Sequence, residues 1–278
     1  MIVPTPSSIV TSTPFVLIGT SAVERTLCQS DAASLDVRES TVWHTMRPVR
    51  ILCIDTAAET ACVGLVQDGV VRAEDLGRVS AQHGETLLPR IALVLETAGV
   101  ARASIDLIAV GLGPGSFTGV RIGLSTAKGL AIGLGKPIVG VRTSHSLAAA
   151  VDGALVIVAI DAKKSEVFAS VWSQTDEGLV CELDDVNGSP EAMAARVQET
   201  IGDRAAALVG SGASAYPALA SALGTKVTRC DPSFDGVRAF SLASVALRSF
   251  EERGPSDLAR LEPVYVRGAD ALLPAARA

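Results

Sequence analysis

After Met46 one order of elements is written twice, and that repetition limits the chain to a two-part α/β fold. The first copy reads as strands at Val49–Asp55, Ala61–Gln67 and Val70–Asp75, a helix over Glu85–Ala98, a strand at Ile105–Val110, a helix over Thr118–Leu134 and a strand at Ile138–Val141. Asp68-Gly69 joins the second and third strands as a two-residue hairpin turn. The second copy reads as strands at Leu155–Asp161, Val167–Trp172 and Leu179–Leu183, a helix over Pro190–Thr200 and a strand at Ala207–Gly210. A helix over Ala215–Leu223, a strand at Lys226–Arg229 and a helix over Ser241–Arg253 complete it. The openings match in detail: Ile51-Leu-Cys-Ile-Asp55 parallels Ile157-Val-Ala-Ile-Asp161, each an apolar strand ending in aspartate. Each copy also places a glycine turn after its fourth strand, Gly111-Leu-Gly113 and Gly210-Ser-Gly212.

A βββαβα unit in tandem predicts two RNase H-like domains facing each other across a cleft, over 46–150 and 151–267, with the last helix free to pack back on the first domain. This plan resembles the actin, sugar kinase and Hsp70 superfamily, whose strand-end aspartates flank ATP and metal. Fold resemblance carries no function by itself. Residues 1–45 differ from the rest: they are rich in Ser and Thr, hold Pro4, Pro6 and Pro14, and show no sustained periodicity. The preferred reading is a working protein that begins near Met46, preceded by a disordered tail or an over-extended start; a cleaved targeting peptide is the alternative. Residues 268–278 read as a second tail.

Composition narrows the function classes. Of 278 residues 48% are apolar and 19% charged, which suits a buried core rather than a disordered chain. A net charge of −6 without a dense Lys/Arg stripe argues against a protein that grips nucleic acid alone. Five scattered cysteines without a CxxC pair fit a reduced, cytoplasmic protein with no zinc framework. No apolar run is long enough to span a bilayer.

The chemistry-bearing stretch is Gly111-Leu-Gly-Pro-Gly-Ser-Phe-Thr-Gly-Val-Arg-Ile-Gly123. Strand, glycine loop and helix expose backbone N–H groups where an anion can sit. The loop lacks the P-loop lysine and the GxGxxG spacing of a dinucleotide fold. Two readings stay open. Asp55, Thr56, Gly113, Gly115, Ser116 and Asp161 would hold a nucleotide phosphate and its cation. Alternatively, Pro114-Gly115 is a tight turn, Ser116 or Thr118 caps the helix, and the aspartates accept turn N–H bonds.

The two helices of the first copy look excessive for a monomer. Gly119, Gly123, Ala127 and Ala131 recur every fourth position and form one small-residue face, with Val120, Leu124 and Leu130 on another. Glycine in a helix costs about 1 kcal/mol relative to alanine, so close approach of another backbone, partly the protein's own sheet, is expected. Leu87, Leu88, Ile91, Val94 and Leu95 exceed one buried stripe, and Pro89 places the helix start near Thr86. The expected partner surface is Leu87, Leu88, Ile91, Leu95, Gly119, Val120, Gly123, Leu124, Ala127 and Leu130.

Ile54-Asp-Thr-Ala57, His83-Gly-Glu-Thr-Leu-Leu-Pro89, the Gly113–Gly123 block, Lys128-Gly-Leu130, Ile160-Asp-Ala162 and Glu262-Pro-Val-Tyr-Val-Arg267 together resemble the TsaB family, also called YeaZ. The resemblance runs from Met46 to about Arg267. It implies an actin-like noncatalytic paralogue of TsaD, the protein that transfers threonylcarbamoyl to the adenosine beside the anticodon of tRNAs reading A-starting codons. It further implies pairing with TsaD through the two N-terminal helices, assembly with the ATPase TsaE, self-pairing through the same surface, and tRNA reached only via the complex. No tightly bound cofactor is implied, only weak or interface ATP or ADP with magnesium. TsaD-like proteins bind metal through an HxxxH helix. Here Thr143 and Leu147 fall at the two histidine positions and His145 lies between them, so no metal site and no catalytic residue are expected. The alternatives are a stand-alone actin-fold ATPase or phosphotransferase and, more weakly, a metallopeptidase.

Overall fold

The computed structural model describes residues 48–78 and 83–266, together with the short strand Ile9–Val10. The readings of 1–45 and 268–278 as tails otherwise lie outside the described residues. In chain order the strands are β1 (Ile9–Val10), β2 (Arg50–Asp55), β3 (Thr60–Gln67), β4 (Val70–Arg78), β5 (Leu107–Gly111), β6 (Ile138–Val141), β7 (Leu155–Lys163), β8 (Glu166–Thr175), β9 (Gly178–Gly188), β10 (Ala206–Val209) and β11 (Val227–Arg229). The helices are α1 (His83–Thr97), α2 (Phe117–Leu134), α3 (Thr143–Ala148), α4 (Pro190–Ile201), α5 (Ser211–Ala215), α6 (Pro217–Leu223) and α7 (Ala239–Arg253).

The duplication is visible in the sheets. The first has the order β1-β4-β3-β2-β5-β6 and the second β11-β10-β7-β8-β9. Leaving aside β1, the two orders match strand for strand. In each, three antiparallel strands continue into two parallel ones through a central strand, β2 or β7, that ends near an aspartate. This is the actin-like α/β fold of two domains. Central strands buried on both faces read as near-continuous apolar runs, which is why Ile51–Ile54 and Val156–Ile160 were legible as strands.

Local chemistry sets the joints. Asp68 and Gly69 have φ of 53° and 75°, the double left-handed turn that a tight hairpin between β3 and β4 demands. Ser116 caps α2 by accepting a hydrogen bond from Gly119 N at 3.2 Å, and Ser189 caps α4 through Ala192 N. Gly135, at φ 62°, closes α2 at its C-terminus. Three differences from the sequence reading have physical causes. Helix α1 begins at His83 rather than near Thr86, with Pro89 inside it, because proline there removes only the bond to the Glu85 carbonyl in the opening turns. The helix expected over Ala215–Leu223 begins at Pro217 as α6, and a short additional helix, α5, precedes it; the two are separated at Tyr216, whose φ of −129° and ψ of 78° reflect the proline that follows. The short α3 is absent from the periodicity reading, since its six residues make under two turns.

The layers stack as α1 and α2, first sheet, α3 and α7, second sheet, then α4 to α6. One apolar cluster joins Leu52, Ile54, Val63 and Ile108 of the first sheet to Leu87, Ile91, Leu124 and Ala127 of α1 and α2. A second joins Ile51, Cys53 and Ala109 to Val156, Val158 and Phe168 of the other sheet through Ala239, Leu242, Ala243 and Ala246 of α7. The last helix therefore packs against the first sheet. Glu74, buried on β4, fixes its N-terminus: its carboxylate accepts from Ala239 N at 2.6 Å and pairs with Arg238 at 2.9 Å.

Gly64 lets α7 reach β3. A Cβ on Gly64 would lie 2.3 Å from Cβ of Ala239. Gly64→Val should destabilise the fold by about 1–3 kcal/mol through overpacking and should raise hydrogen exchange in α7 before other helices. A melting temperature and α7 protection equal to the parent's would contradict this placement.

Candidate functional site

The glycine loop folds down onto the turn that ends β2. A Cβ on Gly111 would lie 1.8 Å from Asp55 Oδ2, one on Gly115 2.2 Å from Ala57 O, one on Gly119 2.1 Å from Thr56 O and one on Gly123 2.3 Å from Thr56 Oγ1. Thr56 Oγ1 donates to Gly119 O at 2.6 Å, and Ser116 N donates to Ala57 O at 2.7 Å. The loop is also tied to α3: Thr143 N donates to Gly113 O at 2.7 Å, and Gly113 N donates to Thr143 Oγ1 at 3.1 Å. The amides of Gly113, Ser116 and Gly119 thus have partners within the chain.

Asp55 is fully buried. Its Oδ1 accepts from Ala57 N at 2.9 Å and its Oδ2 from the Thr143 hydroxyl at 2.8 Å. Loss of solvent pushes its carboxyl up to about 6, with the bonds from Ala57, Thr143 and Ala58 opposing that shift. Asp161 is placed differently. Its Oδ2 lies 2.7 Å from Lys163 Nζ, its Oδ1 accepts from Lys163 N at 2.8 Å and Tyr216 OH at 3.2 Å, and its own N donates to Ser211 Oγ. Lys163 Nζ also lies 3.5 Å from Glu59 Oε2, in the turn after β2, which bridges the two domains.

The six candidate phosphate-site residues therefore fall into two groups. Asp55, Thr56, Gly113, Gly115 and Ser116 form one interlocked turn, and Asp161 belongs to a separate, lysine-centred group on the second sheet. Sequence reasoning missed Thr143 as the partner of Asp55, having weighed it only as a substitute for a histidine. It also missed Lys163, whose left-handed backbone and the register shift after Asp161 take it out of regular strand alternation. Glu59, Ser211 and Tyr216 carried no local signal.

On α3, Leu147 is fully buried and His145 stacks on Trp172 at 4.6 Å between ring centroids. Burial and the charges of Arg253, Arg142 and Arg248 push the imidazole down to about 4. Among the described residues no group of three His, Cys, Asp or Glu side chains is gathered to hold a metal ion. Among them too, no helix is long and apolar enough to cross a membrane.

The ten residues expected at a partner surface divide unevenly. Leu87, Ile91, Leu95, Gly119, Val120, Gly123, Leu124 and Ala127 are buried within the chain, Leu130 is half-buried, and Leu88 is 54% exposed. The Gly119–Gly123 face meets Thr56, so the close approach that those glycines permit is to the protein's own backbone. An apolar groove remains between α1 and α2, lined by Leu88, Ile91, Leu95, Leu130, Leu134 and Arg102. At the N-terminal end of α2, Phe117 (56% exposed) and Tyr265 (51% exposed) lie 5.6 Å apart. The Arg121 guanidinium sits 3.6 Å over the Phe117 ring, and its Nε donates to Tyr265 OH at 2.8 Å.

Two glycine-turned α/β domains with interlocked strand ends define the class, and residues 77–266 match the family model described as TsaD, tRNA N6-adenosine threonylcarbamoyltransferase. The chain is 34% identical over 224 residues to the tRNA threonylcarbamoyladenosine biosynthesis protein TsaB of Escherichia coli K12, covering 79% of this chain and 95% of that one. It is 35% identical over 133 residues to the Bacillus subtilis protein of the same name, covering 47% and 57%. The solved structure of YeaZ from Pseudomonas aeruginosa superposes with a TM-score of 0.67 at 27% identity, over 78% of this chain and 99% of that one. The chain belongs to the TsaB (YeaZ) family.

The Asp55 carboxyl gives a pH signature. Its folded value lies above the unfolded one, so its contribution to stability is fully present below about pH 4 and is lost as pH rises toward 6, by on the order of 3 kcal/mol. Asp55→Asn removes that ionisation. Its stability relative to the parent should climb between pH 4 and pH 7 in denaturant titrations, whatever constant offset the new amide introduces. A pH-independent difference would show that Asp55 does not carry the burial penalty.

Proposed function

We propose that this chain is the noncatalytic scaffold of a tRNA-modifying assembly in the cytoplasm, pairing with a TsaD-family sister that installs threonylcarbamoyl on adenosine next to the anticodon. TsaE joins that assembly, tRNA is reached only through it, and the free chain can pair with a second copy by the same face. No tightly held cofactor belongs to this role. Support comes from the family, from the residues that replace the HxxxH pair, and from the engagement of the Gly113, Ser116 and Gly119 amides by the chain itself. The last point also weighs against a stand-alone ATPase or phosphotransferase. The metallopeptidase reading draws nothing from Thr143, Leu147 or His145.

The observation that carries the docking face is the second half of α2. Of its four glycines, Gly119 and Gly123 meet Thr56, whereas a Cβ on Gly129 or Gly133 would meet nothing within 4 Å. Both are exposed on the outward stripe shared with Arg121, Ser125 and Ile132, the last 70% exposed. Two exposed helix glycines one turn apart cost about 1 kcal/mol each in the isolated chain and gain nothing from it. A partner helix laid along Ser125, Gly129 and Gly133 would use the space, with Leu88 and Ile132 as flanking apolar contacts and Arg121 with its two rings as an anchor at one end. The interface is therefore assigned to the opposite side of α2 from the Gly119–Ala127 stripe expected from sequence.

This assignment separates stability from assembly. Gly129→Ala and Gly133→Ala should each stabilise the isolated chain by roughly 1 kcal/mol. Gly129→Gln with Gly133→Gln should fold normally yet weaken pairing with the purified TsaD-family partner at least tenfold, read by size-exclusion chromatography and titration. Undiminished pairing in the double glutamine variant would remove the docking face.

A further inference from the structure

The β7–β8 hairpin holds three successive side-chain-bearing residues in left-handed backbone conformation: Lys163, Lys164 and Ser165 have φ of 61°, 53° and 58°. Residues with a Cβ enter this region singly as a rule, so the hairpin carries strain. It brings the Lys163 ammonium between carboxylates of the two domains, 2.7 Å from Asp161 Oδ2 and 3.5 Å from Glu59 Oε2. Asp161 holds that ammonium above the usual lysine range, so it stays charged. A magnesium ion at this place would need short, near-octahedral oxygen contacts and several waters. The donor set does not offer them: Asp55 is buried under Thr143 and Ala57, and Asp161 is engaged on both oxygens by Lys163 and Tyr216.

We propose that Lys163 is the built-in counter-ion of the cleft, a specificity-determining residue that takes the place a divalent cation would occupy between Asp161 and Glu59 and so makes the cleft metal-free. The inference does not depend on the scaffold role. The ammonium, 67% exposed, offsets one of the two carboxylate charges that face each other across the domain boundary, chiefly that of the 12% exposed Asp161, and the same positive charge opposes entry of Mg²⁺ or Mn²⁺ beside it.

The test is Mn²⁺ binding to the full chain, read as loss of the free-ion electron paramagnetic resonance signal. Lys163→Gly is the main variant, because glycine keeps the left-handed φ while removing the ammonium. Lys163→Asn, which also tolerates that conformation, is the second. Both should take up one Mn²⁺ per chain at least tenfold more tightly than the parent, and Asp161→Asn added to either should abolish that gain. The proposal is overturned if the variants bind Mn²⁺ no better than the parent, if the gain survives Asp161→Asn, or if the parent itself binds one ion that Asp161→Asn removes.

Discussion

The seating of the glycine loop and α2 on the Asp55–Ala57 turn is the contact on which the first domain depends. Four positions along that path, Gly111, Gly115, Gly119 and Gly123, have no room for a side chain, and the nearest obstruction at each is Asp55, Thr56 or Ala57. Such an approach replaces side-chain packing by backbone contact and hydrogen bonds, which fixes the loop within a fraction of an ångström. Thr143 then locks loop, strand end and α3 together by accepting from Gly113 and donating to Asp55. The glycine loop thus ties β2, α2 and α3 together.

The two sheets show what duplication retains and what it releases. Asp55 and Asp161 occupy corresponding strand ends, yet one is sealed with a raised carboxyl and the other is held by a lysine and a tyrosine. Gly210 repeats the tight approach, with a Cβ there lying 2.3 Å from Ala159 O. Architecture is therefore shared while the polar chemistry has diverged.

Strand positions were legible because strands buried on both faces leave uninterrupted apolar runs, and the Asp68-Gly69 hairpin because its turn permits few other residues. Ser116 as a cap was legible for the same local reason. What could not be read was direction in space. Periodicity identified two faces of α2 but could not say that Gly119 and Gly123 look inward while Gly129 and Gly133 look out, since both pairs have the same four-residue spacing. Buried leucines on α1 were likewise indistinguishable from exposed ones until α2 was laid beside them: only Leu88 of that group stands clear. Thr143, Lys163 and Glu59 act through partners far away in the chain or across the cleft, and a one-dimensional pattern has no term for such meetings.

The placement of α7 bears on biosynthesis. Its apolar face belongs to the core beneath the first sheet, although it is encoded after the whole of the second. A ribosome delivers the first five core strands long before the helix that covers them, so the nascent amino-terminal half must wait with an oily flank open to solvent. Folding of that half is completed from the far end of the message. The chain is thus exposed during translation to capture by chaperones or by aggregation, and the two halves cannot be expressed apart without leaving one of them unroofed.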